Sequence, residues 1–140
     1  FHASVRQMLD EYGNDIAYVY KHLPLSFHPQ AENAALASEC ANEQGKFAPY
    51  MNTLFDKQAE WGNTQGTQSF KNYARQLGLK ADFNSCLDTK KYADKVATDV
   101  AEAAKFGVDG TPGVFVGDEF FAGAVQYEQL KSVIDGQMAK

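Results

Sequence analysis

The sequence is poor in cysteine, and its two cysteines, Cys40 and Cys86, lie far apart. Two cysteines are too few for a disulfide-stapled scaffold, and their separation excludes a C-x-x-C redox pair. No apolar run approaches the roughly 20 residues that a membrane-spanning helix needs. The formal net charge is −5. This argues against nucleic acid as the main partner, because binding it requires basic patches.

What remains is the composition of an ordinary globular domain. The 140 residues are 44% hydrophobic and 22% charged, which is enough to form one domain over residues 1–140 with its own core. The chain begins at Phe1 inside a helical pattern and shows no signal-peptide apolar segment. We therefore expect a processed or shortened N-terminus. His2, His22 and His28 lack metal-ligand spacing, so the sequence predicts neither a metal site nor a cofactor.

Apolar periodicity predicts helices over most of the chain. They are expected at residues 1–12, at 31–61 with a division at Gly45, from Thr67 or Ser69 to Gly78, from Thr89 or Tyr92 to Gly107, and at 126–138. A short helical turn is expected to begin at Asp82 or Asn84. Residues 15–23 are rich in β-formers and carry apolar side chains on both faces, which predicts an interior strand.

The most informative stretch is Gly110-Thr111-Pro112 with the run that follows it. Residues 114–121 predict two short strands around a Gly117-Asp118 turn. Pro112 stands at the entrance of the first strand, where a proline removes no ladder hydrogen bond. Taken alone, this pattern favours a simple strand-entry proline. A helix, a strand, several helices, a hairpin and a helix together predict an α/β fold with a helical insertion.

The sequence resembles the DsbA-like thiol-disulfide oxidoreductases in four motifs that occur in the family's order. They lie at residues 20–29 (YKHLPLSFHP), 37–47 (ASECANEQGKF), 86–93 (CLD and YA) and 107–112 (GVDGTP). The resemblance implies a thioredoxin-like fold with a helical domain inserted at about residues 30–106. It also implies that the protein oxidises, reduces or isomerises protein disulfides in the periplasm or another exported compartment, together with a redox partner protein.

The resemblance further implies where the reactive cysteines belong. In the family a Phe-His pair follows the catalytic C-x-x-C, and Phe1-His2 matches that pair. The C-x-x-C and the central strand before it are therefore expected upstream of this chain. His2, one helical turn from that position, and Lys21 are candidate modulators of the site.

Roles for other residues follow from the same resemblance. Thr111 and Pro112 would form a cis-proline loop whose backbone pairs with an extended substrate. Gly110, Phe120 and Trp61 would line the peptide groove, and the alternative for the two aromatic residues is a core position, where such side chains usually lie. Cys40 and Cys86 would form a structural disulfide. The residues alone leave two alternatives for these cysteines, namely two buried free thiols or a redox-active pair.

Two functions are compatible with this pattern. One is an oxidoreductase whose C-x-x-C is missing from this chain, and the other is a non-catalytic thioredoxin-like module for peptide binding or structure. Loss of a central strand would leave unpaired backbone groups on its neighbours. We therefore expect another segment to fill the gap, a strand-exchanged homodimer, or a rearranged sheet. A well-ordered monomer with an empty slot would contradict this expectation.

Overall fold

The computed structural model describes residues 1–140, which form eight α-helices, one 3-10 turn and two strands. In chain order the elements are α1 (His2–Tyr12), the 3-10 turn Gly13–Asp15, α2 (Ala31–Glu43), α3 (Phe47–Asp56), α4 (Gln58–Trp61), α5 (Gln68–Gln76), α6 (Asp82–Asp88), α7 (Ala93–Lys105), β1 (Gly113–Val116), β2 (Glu119–Ala122) and α8 (Tyr127–Met138). None of these helices has the length and apolar character needed to cross a membrane.

The chain divides into two compact units. The first, called here the terminal unit, combines Phe1–Lys21 with Ala103–Lys140. The second, the helical unit, is continuous over His22–Glu102. The sequence analysis placed the helical insertion at about residues 30–106, so the helical unit begins earlier and ends slightly earlier than expected.

The terminal unit is built on the β1–β2 hairpin. The strands pair antiparallel, with Val114 opposite Phe121 and Phe115 opposite Phe120. Because side chains alternate along a strand, Val114, Val116 and Phe121 share one face of the hairpin. They pack against a core that α1 and α8 supply, formed by Val5, Met8, Tyr12, Val125, Leu130 and Ile134.

The helical unit is organised around α2, which packs against α3, α5 and α6. Its alanine-rich surface lets neighbouring helices approach closely, and Leu36, Ala37, Cys40 and Ala41 are at most 1% exposed. The Tyr50 ring lies 5.4 Å from that of Phe83, and the Tyr50 hydroxyl donates to the Phe70 carbonyl at 2.9 Å. The buried phenolic hydroxyl therefore has a hydrogen-bond partner, and its burial costs little free energy.

Glycine ends α2 as expected. Gly45 has a φ of 73°, in the left-handed region that glycine tolerates best, and it separates α2 from α3. The predicted hairpin turn at Gly117-Asp118 is also confirmed, with Gly117 at a φ of 60°.

The interior strand expected at residues 15–23 is not present. The backbone leaves the 3-10 turn in an extended conformation at Ile16, with φ −127° and ψ 154°, but residues 16–25 join no ladder. The sheet consists of β1 and β2 alone. A segment rich in β-forming residues becomes a strand only where a neighbouring strand hydrogen-bonds to its backbone. No strand does so here. The sheet is thus smaller than the sequence predicted.

Candidate functional site

The proline turn, residues 110–113, follows the segment after α7 and leads into β1. Its Thr111–Pro112 peptide bond is cis. The Pro112 carbonyl accepts a hydrogen bond from the Gly123 N–H at 2.8 Å, which ties the turn to the end of β2. Gly110 and Thr111 are exposed, so their backbone is accessible to a binding partner.

One edge of β1 is unpaired. A two-residue turn makes Val116 and Glu119 the closing hydrogen-bonded pair, and bonded and non-bonded pairs alternate from there. The bond between Gly123 and Pro112 fits this alternation. The N–H and C=O groups of Gly113 and Phe115 therefore point away from β2, towards an edge that no third strand covers. These groups can receive an additional strand.

Gly113 is required by the packing beneath the turn. A Cβ atom at this position would lie 2.9 Å from Val108 Cγ1 and 3.3 Å from Phe120 Cε2. The first distance is shorter than real Cβ contacts and the second is tighter than most of them. A side chain at position 113 would therefore force Val108, Phe120 or the backbone of the turn to shift.

Three exposed phenylalanines lie beside this edge and form what we call the aromatic cluster. Phe106, Phe115 and Phe120 are 62%, 51% and 42% exposed. The ring centroids of Phe115 and Phe120 are 4.7 Å apart, and those of Phe106 and Phe115 are 6.2 Å apart. Phe115 and Phe120 point away from the core side of the hairpin. An exposed apolar patch of this kind marks an interaction surface.

Three further predicted site residues are Trp61, His2 and Lys21. Trp61 is only 8% exposed within the helical unit, where its ring packs 5.4 Å from Phe70 and its indole N–H donates to the Leu54 carbonyl at 2.7 Å. Its assignment to a peptide groove is therefore corrected to a core position. His2 is a half-buried residue of the first turn of α1, and Lys21 is exposed at the end of the extended segment.

Both cysteines are engaged with each other. A disulfide joins Cys40 on α2 to Cys86 on α6, the pairing that the family resemblance implies, and no free cysteine remains. The chain also has no cluster of three or more histidine, cysteine, aspartate or glutamate residues that could hold a metal ion. No side chain of this chain therefore offers a free thiolate for disulfide exchange.

Sequence reasoning missed a buried polar cluster in the helical unit. His22 Nε2 lies 2.6 Å from Glu39 Oε2, and the His22 backbone N–H donates to Asp99 Oδ2 at 3.0 Å. Lys95 Nζ lies 3.7 Å from both carboxylates. His22, Glu39 and Asp99 are each at most 4% exposed. Their separation in the sequence hides the cluster. The only sign of this cluster in the sequence is one acidic residue on the apolar face of each helix, Glu39 on α2 and Asp99 on α7.

Comparisons with known proteins agree with this architecture. The sequence model of the family described as thioredoxin matches residues 1–136. The structure superposes on a thioredoxin-like oxidoreductase from Silicibacter pomeroyi with a TM-score of 0.80 and 24% identity, covering 99% of this chain and 78% of that one. It also matches Proteus mirabilis ScsC in a compact conformation, with a TM-score of 0.70 and 20% identity over 100% and 75% of the two chains.

Similar sequences also occur within larger proteins. The chain is 32% identical over 125 residues to a Na(+)/H(+) antiporter NhaA from Herminiimonas arsenicoxydans, and 35% identical over 133 residues to NhaA 3 from Salinispora tropica. These matches cover 89% and 94% of this chain but only about a fifth of each relative, 19% and 20%. The family match nevertheless spans nearly the whole chain. The chain therefore belongs to the thioredoxin family and has a DsbA-like thioredoxin fold.

Proposed function

We propose that this chain is the peptide-binding part of a protein thiol-disulfide oxidoreductase. The unpaired edge of β1, directly after the exposed backbone of Gly110 and Thr111, is the observation that carries this proposal. A free strand edge accepts an extended peptide as an added strand, and main-chain hydrogen bonds then supply the affinity. The aromatic cluster, which includes Phe120, offers apolar surface for side chains of that peptide.

The reacting cysteine pair is proposed to lie outside these 140 residues. A thiolate is the nucleophile in disulfide exchange, and both cysteines of this chain are already joined. A C-x-x-C pair in residues that precede Phe1 in the natural protein would act on thiols or disulfides held at Thr111 and Pro112. A separate redox partner protein would then restore the pair, and His2 and Lys21 would modulate it.

An exported location is part of the proposal. Disulfides persist in oxidising compartments such as the periplasm and are rare in the cytosol. The Cys40–Cys86 bridge supports such a compartment for the helical unit. The free edge of β1 also supports a strand-exchanged homodimer, in which a strand of a second copy pairs with Gly113 and Phe115.

An activity assay tests the proposed function. The 140-residue chain should reduce insulin disulfides no faster than a control without the chain, because it contains no C-x-x-C pair. The same chain extended by its natural upstream residues should be active, and serine substitution of both upstream cysteines should abolish that activity. If those residues carry no C-x-x-C pair, the second candidate, a non-catalytic peptide-binding module, replaces the first. The absence of a free thiol in this chain is the observation that favours it.

Peptide binding is tested separately on the chain itself. Addition of an extended, cysteine-free peptide should shift the amide NMR signals of Thr111, Gly113 and Phe115. Phe120→Ala should weaken binding, whereas the control Phe27→Ala, which removes an exposed phenylalanine outside the aromatic cluster, should not. Equal effects of the two substitutions would contradict a site at β1.

A further inference from the structure

A cavity of about 690 Å³ opens in the helical unit beside the disulfide. Its lining includes Cys86 and three lysines, Lys46, Lys80 and Lys91, together with the acidic residues Glu43 and Asp82. Cys40 does not line it. The two sulfur-bearing residues of one disulfide therefore differ in their access to this space.

The cavity carries a local positive charge in an acidic protein. Lys91 is paired with Glu43, while Lys46 and Lys80 add two exposed ammonium groups against the single carboxylate of Asp82. Three cations thus face two anions, although the whole chain has a net charge of −5. The lining therefore has an excess of one positive charge, and a local excess of one sign attracts ions of the opposite sign.

The wall of the cavity that carries Lys80 is fixed in place. The Lys80 backbone N–H donates to Gln44 Oε1 at 2.7 Å, and Gln44 Nε2 donates to the Lys80 carbonyl at 3.3 Å. This pair of bonds ties the segment before α6 to the end of α2. The backbone that carries Lys80 is therefore held against the end of α2.

The two cysteines have different surroundings. Cys40 is 1% exposed and lies on α2 between Ala37 and Ala41, which are fully buried. Cys86 is 4% exposed and borders the cavity. Attack on a disulfide requires access to one sulfur, and Cys86 is the member of this disulfide that borders the cavity.

We propose that Cys86 is a site of thiol-disulfide exchange with low-molecular-weight thiols that carry carboxylates. The incoming thiolate bonds to Cys86 Sγ while the Cys86–Cys40 S–S bond breaks, and Cys40 leaves as a thiolate that takes a proton from water. A second thiolate then attacks the sulfur of the bound small thiol and releases Cys86. The two small thiols are oxidised to their disulfide, and the protein disulfide gains the two electrons.

The site would make the helical unit responsive to the thiol pool around it. Reduction at Cys86 removes the covalent link between α2 and α6, whereas the first step alone leaves a bulky anionic group at the cavity. This inference is independent of the proposed function, because exchange at Cys86 needs neither a substrate peptide nor an upstream C-x-x-C pair.

Mass spectrometry with trapping tests the proposal. The native chain is exposed briefly to reduced glutathione, quenched with N-ethylmaleimide and mapped by peptide analysis. Glutathione is expected on Cys86, with maleimide on Cys40 of the same molecules. Glutathione mainly on Cys40, or reduction no faster than global unfolding, would overturn the proposal.

The role of the lysines is tested by comparing two thiols. Lys46→Gln with Lys80→Gln should slow exchange with glutathione by about threefold per charge, the size expected for an exposed charge pair. The rate with neutral 2-mercaptoethanol should not change. Lys105→Gln with Lys140→Gln, which removes two exposed lysines outside the cavity, serves as the matched control. Equal slowing of both thiols would show that the cavity charge plays no part.

Discussion

The phenolic hydroxyl of Tyr12 donates a hydrogen bond of 2.6 Å to Asp135 across 123 positions of sequence. Tyr12 ends α1 and Asp135 lies in α8, so the bond joins the first helix to the last. A second connection between these helices is the hydrogen bond of 2.7 Å that Lys131 Nζ of α8 donates to Glu11 Oε1 of α1. Together with the shared apolar core, these polar contacts hold both ends of the chain in the terminal unit.

Tyr12→Phe should lower the melting temperature at neutral pH and change how the melting temperature depends on pH. The hydrogen bond from Tyr12 lowers the pKa of Asp135 below its usual value. A carboxyl group whose pKa is lower in the folded state stabilises the fold fully at pH values above its unfolded-state pKa. This stabilisation is lost as the pH falls through its folded-state pKa. The difference between wild type and variant should therefore shrink in acid. Melting curves from pH 7 to pH 2 measure it.

Tyr127→Phe is the matched control for that experiment. Tyr127 packs against the same core, but its buried hydroxyl has no hydrogen-bond partner. Removing an unsatisfied buried polar group is neutral or stabilising. The variant should melt at or above the wild-type temperature at every pH, and a loss like that of Tyr12→Phe would contradict this assignment.

Gly113→Ala should destabilise the hairpin by about 1–3 kcal/mol, the usual cost of overpacking. The new methyl group would meet Val108 Cγ1 and the Phe120 ring. Gly110→Ala is the control, because nothing lies within 4 Å of a Cβ there. Urea denaturation compares the two. Val108→Ala combined with Gly113→Ala should restore part of the loss if the clash is its cause.

Replacing both cysteines by alanine should lower the free energy of unfolding by about 4 kcal/mol, the loop-entropy value for a crosslink of this span. The bridge joins α2 to α6 between residues that are 46 positions apart in the sequence. Hydrogen exchange should accelerate in the helical unit, which contains both residues. Wild type measured in a strong reductant should resemble the variant. Unchanged stability in both would refute a structural role for the bridge.

His22→Leu should destabilise the helical unit by about 1–3 kcal/mol, because it leaves the buried Glu39 carboxylate without its closest partner. The double variant His22→Leu with Glu39→Leu should lose less than the two single variants together, since apolar replacement of both members of a buried pair is often tolerated. His28→Gln changes an exposed histidine and should have no effect. Chemical denaturation of the wild type, the two single variants and the double variant gives the coupling energy.

Local signals in the sequence predicted much of the fold. Glycines mark the ends of helices and the hairpin turn because few other residues adopt their backbone angles, so Gly45 and Gly117 could be assigned from sequence. The proline turn and the strands behind it were likewise predictable, since turn chemistry acts over a few residues. The helical periodicity of α1 and α8 gave their positions to within one residue.

The errors concern features that depend on distant partners. Residues 15–23 have strand composition, but a strand also needs a neighbour, and its presence is a property of the whole sheet. Trp61 was assigned to the peptide groove because the Phe70 and Leu54 contacts that bury it arise only when the helices pack. The His22 cluster was missed for the same reason, since its members come from three separate segments.

The terminal unit draws its core from both ends of the chain, whereas the continuous span between them forms the helical unit. A cut within residues 22–102 would therefore leave one half of that core on each fragment, with α1 on the first and α8 on the second. Such fragments can recognise each other through surfaces that the uncut protein already uses. The domain is consequently suited to a split-protein reporter, in which reassembly signals that two fusion partners have met.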